Sequence, residues 1–588
     1  MSSTRRQLRR GAVILSAVAL LAACGGRGDP KAGAGAPATA EDSDTLPTYT
    51  YAIDNKATGP APAVAGAKAG GTIHVVNAVD YTHLDPARIY VTTESEVSLL
   101  FSRQLTGYRQ QGTNITLVGD LATDTGKTTD GGKTWKYTLR DGVSWEDGTP
   151  ITSGDVKYGL ERTFVTDYSE GPTYFQTWSA GSSDFHKFYD GPYDGKSLST
   201  ISTPNDKTLV IKFPKPEPDL PYAMAMTVSA PVKKAKDTRT AYDKKPFSSG
   251  PYRIVDHKTD KSMTLERNPN WKPESDPLRA AYPDHWEFEF GAVPLTINQR
   301  LIAASGTDAS AITHDAAMSP EVRPQVMSTP DLKARSVFGF SLSPSYYSIN
   351  MKRIPDIKVR TALLYAFPRE QLRRLVGGPD EGEFASTVSG PSLLGHQQFD
   401  LFHAPPAGDP ARAKQLLTEA GKLGQTVVYA SSARPRSGQV AVIIDTALKE
   451  AGFNPVRKIL ADATAQDDVS RPDSEIDLAG GAWFPDWPSG STMYPPIFDG
   501  RQIRKGGYNT SFLNDPAINA EMDQISLIVD PTEAGRRWSE LEKKILAMVP
   551  IIPNLYDRNR QLYGPKIGGA HYNSLSGGIG LNGLYLKP

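Results

Sequence analysis

A single cysteine in 588 residues excludes intramolecular disulfides and any cysteine-built zinc cluster. Neither charge sign prevails, with 65 Lys+Arg against 65 Asp+Glu. A general nucleic-acid binder needs a basic excess to neutralise phosphates, so no nucleic-acid partner is expected. No stretch approaches the roughly 18–20 uninterrupted apolar residues of a membrane-spanning helix. The nine histidines (74, 83, 186, 257, 285, 314, 396, 403 and 571) show no metal-ligand spacing. His-Glu-x-x-His and Gly-x-Ser-x-Gly are both missing. Gly126-Lys127-Thr128 and Gly132-Lys133-Thr134 lack the earlier glycine of a phosphate loop and read as turns. Carboxylates are plentiful, but sequence cannot show a facing pair, so a glycosidase gains no positive support. No catalytic residue, metal site or cofactor is assigned, and no enzyme is expected.

What is present is a globular composition, 39% hydrophobic, 9% aromatic and 22% charged, able to bury a large core. The length is enough for about three to five domains or one large multi-lobed body. The amino terminus carries Arg5, Arg6, Arg9 and Arg10 and no acid, then an apolar run from Gly11 to Ala23. That is the layout of a secretory signal peptide over residues 1–23. The lone cysteine, Cys24, follows directly, and Leu21-Ala22-Ala23-Cys24 resembles the lipobox of bacterial lipoproteins. The resemblance implies cleavage before Cys24 and its acylation, which would hold a soluble body on the outer face of the cell membrane. Thr4-Arg5-Arg6-Gln7-Leu8 also looks like a twin-arginine export signal, against ordinary secretion as the alternative. Without residues 1–23 the chain keeps 61 bases against 65 acids, a net charge of −4. Residues 25–70 contain 8 Gly, 12 Ala and 5 Pro. Such a stretch buries too little apolar surface to offset its ordering entropy, so 24–70 reads as anchor and flexible tether.

The remaining body alternates strand and helix signals. Thr72–Val76, Lys133–Leu139 and Leu209–Phe213 read as strands, and Tyr252–Val255 with Met263–Glu266 as a hairpin. Thr152-Ser153-Gly154-Asp155 is a capping-box pattern ahead of Val156, Leu160 and Phe164 on one helical face. In the second half, Asp409-Pro410, Asp515-Pro516 and Asp530-Pro531 each place an N-cap before a first-turn proline. Thr426–Tyr429, Val440–Ala451 and Val456–Leu460 make a β-α-β unit with parallel strands. Ile551–Pro553 and Gln561–Tyr563 return to strand character. The body is α/β.

Five segments in order resemble the extracytoplasmic solute-binding proteins of ABC importers, family 5, the oligopeptide/dipeptide/nickel-binding type. They are Gly70-Gly71-Thr72-Ile73 with Leu84-Asp85-Pro86; the run from Leu121 through Trp145-Glu146-Asp147-Gly148-Thr149-Pro150 to Asp155-Val156; Gly250-Pro251-Tyr252 to Asn268-Pro269-Asn270-Trp271; Asn350 to Glu370; and Ala482-Trp483-Phe484-Pro485-Asp486-Trp487-Pro488. The resemblance implies a two-lobed, type II periplasmic-binding-protein-like fold with a hinge and an extra subdomain in the first lobe. Lobe 1 would hold 71–335, lobe 2 336–550, and 551–588 would return to lobe 1. It implies a small solute, a short peptide, captured between the lobes of a monomer and delivered to ABC permease subunits. In peptide-binding relatives the aspartate of the Trp-x-x-Asp segment pairs with the ligand's α-ammonium, which here is Asp486. Trp483, Trp487 and Tyr494 are the candidate flat contacts. An oligosaccharide, metallophore or signalling-peptide receptor is the alternative, and a lipid-anchored cell-wall hydrolase a remote one. Two positions depart from the family pattern. Pro368 interrupts the helix opening lobe 2, and Trp487-Pro488-Ser489-Gly490 stands where relatives often have Asp-Pro.

Overall fold

The structure, a computed structural model, describes residues 46–168 and 170–588. The expected signal peptide, Cys24 and the start of the tether lie outside the described residues.

Lobe 1 is built on a five-stranded sheet in the order Ala311–Ile312, Thr72–Val76, His285–Glu289, Ser262–Arg267, Tyr252–Lys258. Thr72–Val76 runs parallel to both of its neighbours, and the Tyr252–Lys258 and Ser262–Arg267 pair forms the expected antiparallel hairpin. Alternation decides which face is buried: Trp286 and Phe288 point inward, while His285, Glu287 and Glu289 stay exposed. The extra subdomain carries an antiparallel sheet of Thr134–Thr138, Thr208–Lys212 and Ile201–Asn205. Its helix Ser153–Arg162 opens on the expected capping box. The Asp155 N–H donates to Thr152 Oγ1 at 3.3 Å, and the Thr152 N–H to Asp155 Oδ2 at 2.9 Å. Trp145 is buried in this subdomain's core.

Lobe 2 has a mixed sheet in the order Ser336–Phe340, Ile551–Leu562, Ser345–Ile349, Leu478–Gly481, Thr426–Ser432, Asn454–Leu460, with Gly382–Phe384 also paired to Ile551–Leu562. The β-α-β unit is present: Thr426–Ser432 and Asn454–Leu460 are parallel and joined by the helix Pro435–Glu450. Asp409, Asp515 and Asp530 each accept a backbone N–H from the first turn of the helix that follows. Pro368 acts as its chemistry requires: one helix ends at Ala366 and the next begins at Arg369.

Two expectations on domain limits change. The stretch up to residue 70 is not tether throughout. Thr50–Asp54 is a strand, parallel to Asn114–Gly119, and Arg140 donates to the carbonyl of the buried Ala57 at 2.7 Å. Backbone pairing supplies the order that the Ala/Gly-rich side chains cannot. Residues 551–562 contribute to both lobes. They form one 12-residue strand whose start, Ile551 and Ile552, packs in lobe-2 clusters and whose end, Leu562, packs in a lobe-1 cluster with Ile297 and Leu301. Its pairing with Ser336–Phe340, from Ser336 opposite Leu562 to Phe340 opposite Arg558, is where the chain crosses between lobes. The return comes after it, with Ile567, Ile579, Leu581 and Leu584 in the lobe-1 core.

Candidate ligand cavity between the lobes

A cavity of ≈ 480 Å³ lies between the lobes. That volume falls within the roughly 300–1,000 Å³ common for small-ligand sites. Lobe 1 lines it with Tyr90, Glu96, Gln104, Tyr108 and Tyr222, and lobe 2 with residues 482–486 and Tyr508. Asn573, Leu575 and Asn582 of the carboxy-terminal tail complete it.

Asp486 follows the sheet strand Leu478–Gly481 and is part of this lining. Its Oδ2 accepts the hydroxyl of Tyr174, from lobe 1, at 2.5 Å. Loss of hydration pushes its carboxyl above the usual range, and hydrogen bonds from Tyr174 and Tyr90 only partly offset that. Phenols donate but carry no charge, so the ionised form of Asp486 lacks a cationic partner among these contacts. A cation brought to it forms a charge-assisted hydrogen bond in a largely dry site, where such bonds are strongest.

Trp483 is also in the lining. Its position is set by three contacts: its N–H donates to Ser343 Oγ at 2.9 Å, its Nε1 donates to the Thr492 carbonyl at 2.6 Å, and its ring lies 4.5 Å from that of Tyr508.

The other two expected contact residues are elsewhere. Trp487, 3% exposed, inserts from lobe 2 into the core of the lobe-1 subdomain, 4.7 Å from the Tyr174 ring and 6.0 Å from Trp178. Its Nε1 donates to Asp219 of lobe 1 at 2.9 Å, and Ser491 donates to the same carboxylate. An apolar socket in the opposite lobe makes Trp487 an interlobe contact, outside the cavity lining. Tyr494 is in the core of lobe 2. Its ring stacks on Trp538 at 5.5 Å and its hydroxyl donates to Glu542 Oε2 at 3.0 Å. The buried Glu542 carboxylate also collects the N–H groups of Val388 and Ser389, so Tyr494 belongs to a structural network.

Sequence reasoning missed the lobe-1 wall. Tyr90, Glu96, Gln104 and Tyr108 come from one short stretch of chain just after Leu84-Asp85-Pro86. Their only signal there is nearness to a family landmark. Arg279 organises this stretch, donating to the carbonyl of Leu99 at 2.7 Å and to Gln104 Oε1 at 3.3 Å.

Comparison with known proteins agrees with this architecture. The model of the bacterial extracellular solute-binding proteins, family 5 (middle), matches residues 116–505, more than half of the chain. A probable peptide ABC transporter periplasmic-binding protein of Sinorhizobium fredii is 25% identical over 366 residues, covering 60% of this chain and 63% of that protein, a little under two thirds of its length. The periplasmic oligopeptide-binding protein OppA of Salmonella typhimurium is 22% identical over 482 residues, 77% of this chain and 81% of that protein. Among solved structures, clavulanic acid biosynthesis oligopeptide binding protein 2 superposes with a TM-score of 0.82 at 28% identity, covering 91% of this chain and 100% of that one. A two-lobed α/β body, a cavity between the lobes and a matching family model over most of both lobes lead to one assignment: the chain belongs to family 5 of the bacterial extracellular solute-binding proteins.

Proposed function

We propose that this protein is an extracytoplasmic receptor that binds a short peptide between its lobes and hands it to the permease of an ABC importer. The observation that carries the reading is Asp486, a desolvated carboxylate in the cavity wall that receives neutral phenol donors and no cation. A peptide's α-ammonium supplies the missing charge. Tyr90, Trp483, Phe484 and Tyr508 offer flat apolar surface at low entropic cost for the first side chains. The names of the relatives, two of which are peptide- or oligopeptide-binding proteins of bacterial transport, support the same solute class. In this reading the protein acts by binding alone, without turnover, as a monomer. The acyl chains on Cys24 hold it at the membrane, and the segment after them is the tether.

The reading is tested by a melting-temperature screen against di- to pentapeptides, their N-acetylated forms, oligosaccharides and metal chelates. A ligand at about 100 times its Kd stabilises by roughly 2.7 kcal/mol. Free-amine peptides should raise Tm and N-acetylated ones should not. A clear shift with a sugar or chelate and none with any peptide overturns the assignment.

A further inference from the structure

The cavity wall carries a second carboxylate. Glu96 is 5% exposed and lines the cavity from lobe 1. Its oxygens accept the Leu581 N–H and the Asn573 Nδ2–H, both at 3.0 Å, from the carboxy-terminal tail. Both donors are neutral. Arg279 acts on it electrostatically, but its guanidinium is already committed to Asp120 at 2.8 Å and Asp276 at 3.2 Å. Arg103 joins the same buried cluster through Asp120, so two arginines there face two aspartates and leave no surplus charge for Glu96. A smaller pocket of ≈ 200 Å³ adjoins the cavity at Glu96 and contains Arg109 and His571. Arg109 pairs with Asp54 at 3.5 Å, and burial lowers the affinity of the His571 imidazole for a proton. The cavity itself, among the described residues, is lined by two carboxylates, Asp486 and Glu96, and by no lysine, arginine or histidine.

A second, independent observation comes from the neighbouring polar groups. Gln104 is 1% exposed, and its Nε2 has no hydrogen-bond partner in the protein. The buried hydroxyl of Tyr108 is also without one. Both residues line the cavity beside Glu96. Buried donors are almost always satisfied, so a buried amide nitrogen and a phenol without protein partners, on residues that line the cavity, suit ligand oxygens.

We infer that Glu96 is a second anionic subsite, so that the preferred ligand is a basic peptide: a guanidinium or ammonium side chain pairs with Glu96 while Gln104 and Tyr108 bond to oxygens of the adjoining peptide units. The inference rests on the peptide reading for Asp486 and adds side-chain selectivity to it. Burial pushes the Glu96 carboxyl up to about 7, as expected of a carboxylate awaiting a counter-ion. The ligand then brings two positive charges to two negative ones, and the protein selects for charge without any basic residue in the cavity wall.

The test uses the full mature chain and isothermal titration with three arginine-containing tripeptides, Arg-Ala-Ala, Ala-Arg-Ala and Ala-Ala-Arg, each paired with its citrulline counterpart. Citrulline keeps the shape and removes the charge. At least one arginine peptide should bind about tenfold or more tighter than its citrulline partner, the size of one hydrogen bond to a charged group. Glu96→Gln should bring that ratio close to one. Equal affinities for all three pairs in the unmodified protein overturn the inference, whatever the variant does. So does a Glu96→Gln variant that melts lower but keeps the full ratio, because Glu96 then serves only to hold the tail. Citrulline peptides that bind as well as arginine ones leave the peptide reading standing. If no tripeptide binds but agmatine does, and Glu96→Gln abolishes it, the cation site stands and the peptide reading falls.

Discussion

Trp487 is the most informative residue to remove, because its side chain lies in the lobe opposite to its own backbone. It is 3% exposed, packs edge-on against Tyr174 and Trp178, and donates to Asp219. Truncating a buried tryptophan to alanine costs about 3–5 kcal/mol, and leaving Asp219 short of a donor adds about 1–3 kcal/mol. Had Trp487 filled the core of its own lobe, that loss would appear as lower stability of the lobe. Here the socket exists only while the lobes are together, so the loss falls on closure. Even the lower figure, about 3 kcal/mol, changes the closure equilibrium by a factor on the order of 10². Trp487→Ala should therefore enlarge the radius of gyration of the ligand-free protein in X-ray scattering, and ligand should restore it. Apparent ligand affinity should fall by up to the same factor, since binding must now supply the closure energy. Trp538→Ala is the control, because Trp538 is buried within lobe 2 against Tyr494. It should lower Tm and leave the radius of gyration alone. The reasoning is refuted if Trp487→Ala keeps the original radius and affinity while Tm falls as far as in the control.

Three further outcomes follow from the same contacts. Tyr494→Phe removes one donor from the buried Glu542 and should lower stability by about 1–3 kcal/mol in urea titration with ligand affinity unchanged; a large loss of affinity would return Tyr494 to the ligand site. Burial lowers the His314 imidazole to about 4. The unfolded chain takes up that proton below about 6.5 and the folded one does not, so its contribution is full above pH 6.5 and is lost as pH falls toward 4, in all about 3 kcal/mol. Urea midpoints at pH 7.5 and 5 should differ less in His314→Gln than in the unmodified protein, and an unchanged difference contradicts this. Cys24→Ser should abolish membrane retention in cell fractionation, and unchanged retention would remove the lipobox reading.

The elements most legible in the sequence were those set by local chemistry. The Thr152/Asp155 capping box, the three Asp-Pro helix starts, the β-α-β unit around Pro435–Glu450 and the break at Pro368 all depend on residues a few positions apart. The strand Thr50–Asp54 was hidden because its order comes from backbone pairing with Asn114–Gly119, and its Ala/Gly-rich surroundings carry no periodic signal. The strand Ile551–Leu562 read as two pieces because its two ends are buried in different cores, with half-exposed residues between. At the site, the Trp-x-x-Asp segment pointed to Asp486 and Trp483. Whether a nearby aromatic faces the cavity or the opposite lobe is decided by contacts with residues about 300 positions away, which explains the misplacement of Trp487. Glu96 was invisible for a related reason: a glutamate in a polar stretch looks like a solvated helix face until the tail folds over it.

If Asp486 binds the α-ammonium of a peptide, one titration shows it. A peptide found in the melting screen is titrated into the unmodified protein and into Asp486→Asn, alongside its N-acetylated form. The free-amine peptide should bind the unmodified protein at least about tenfold tighter than the acetylated one, and Asp486→Asn should remove this difference. Equal binding of both forms to the unmodified protein, or a difference that survives Asp486→Asn, would contradict it.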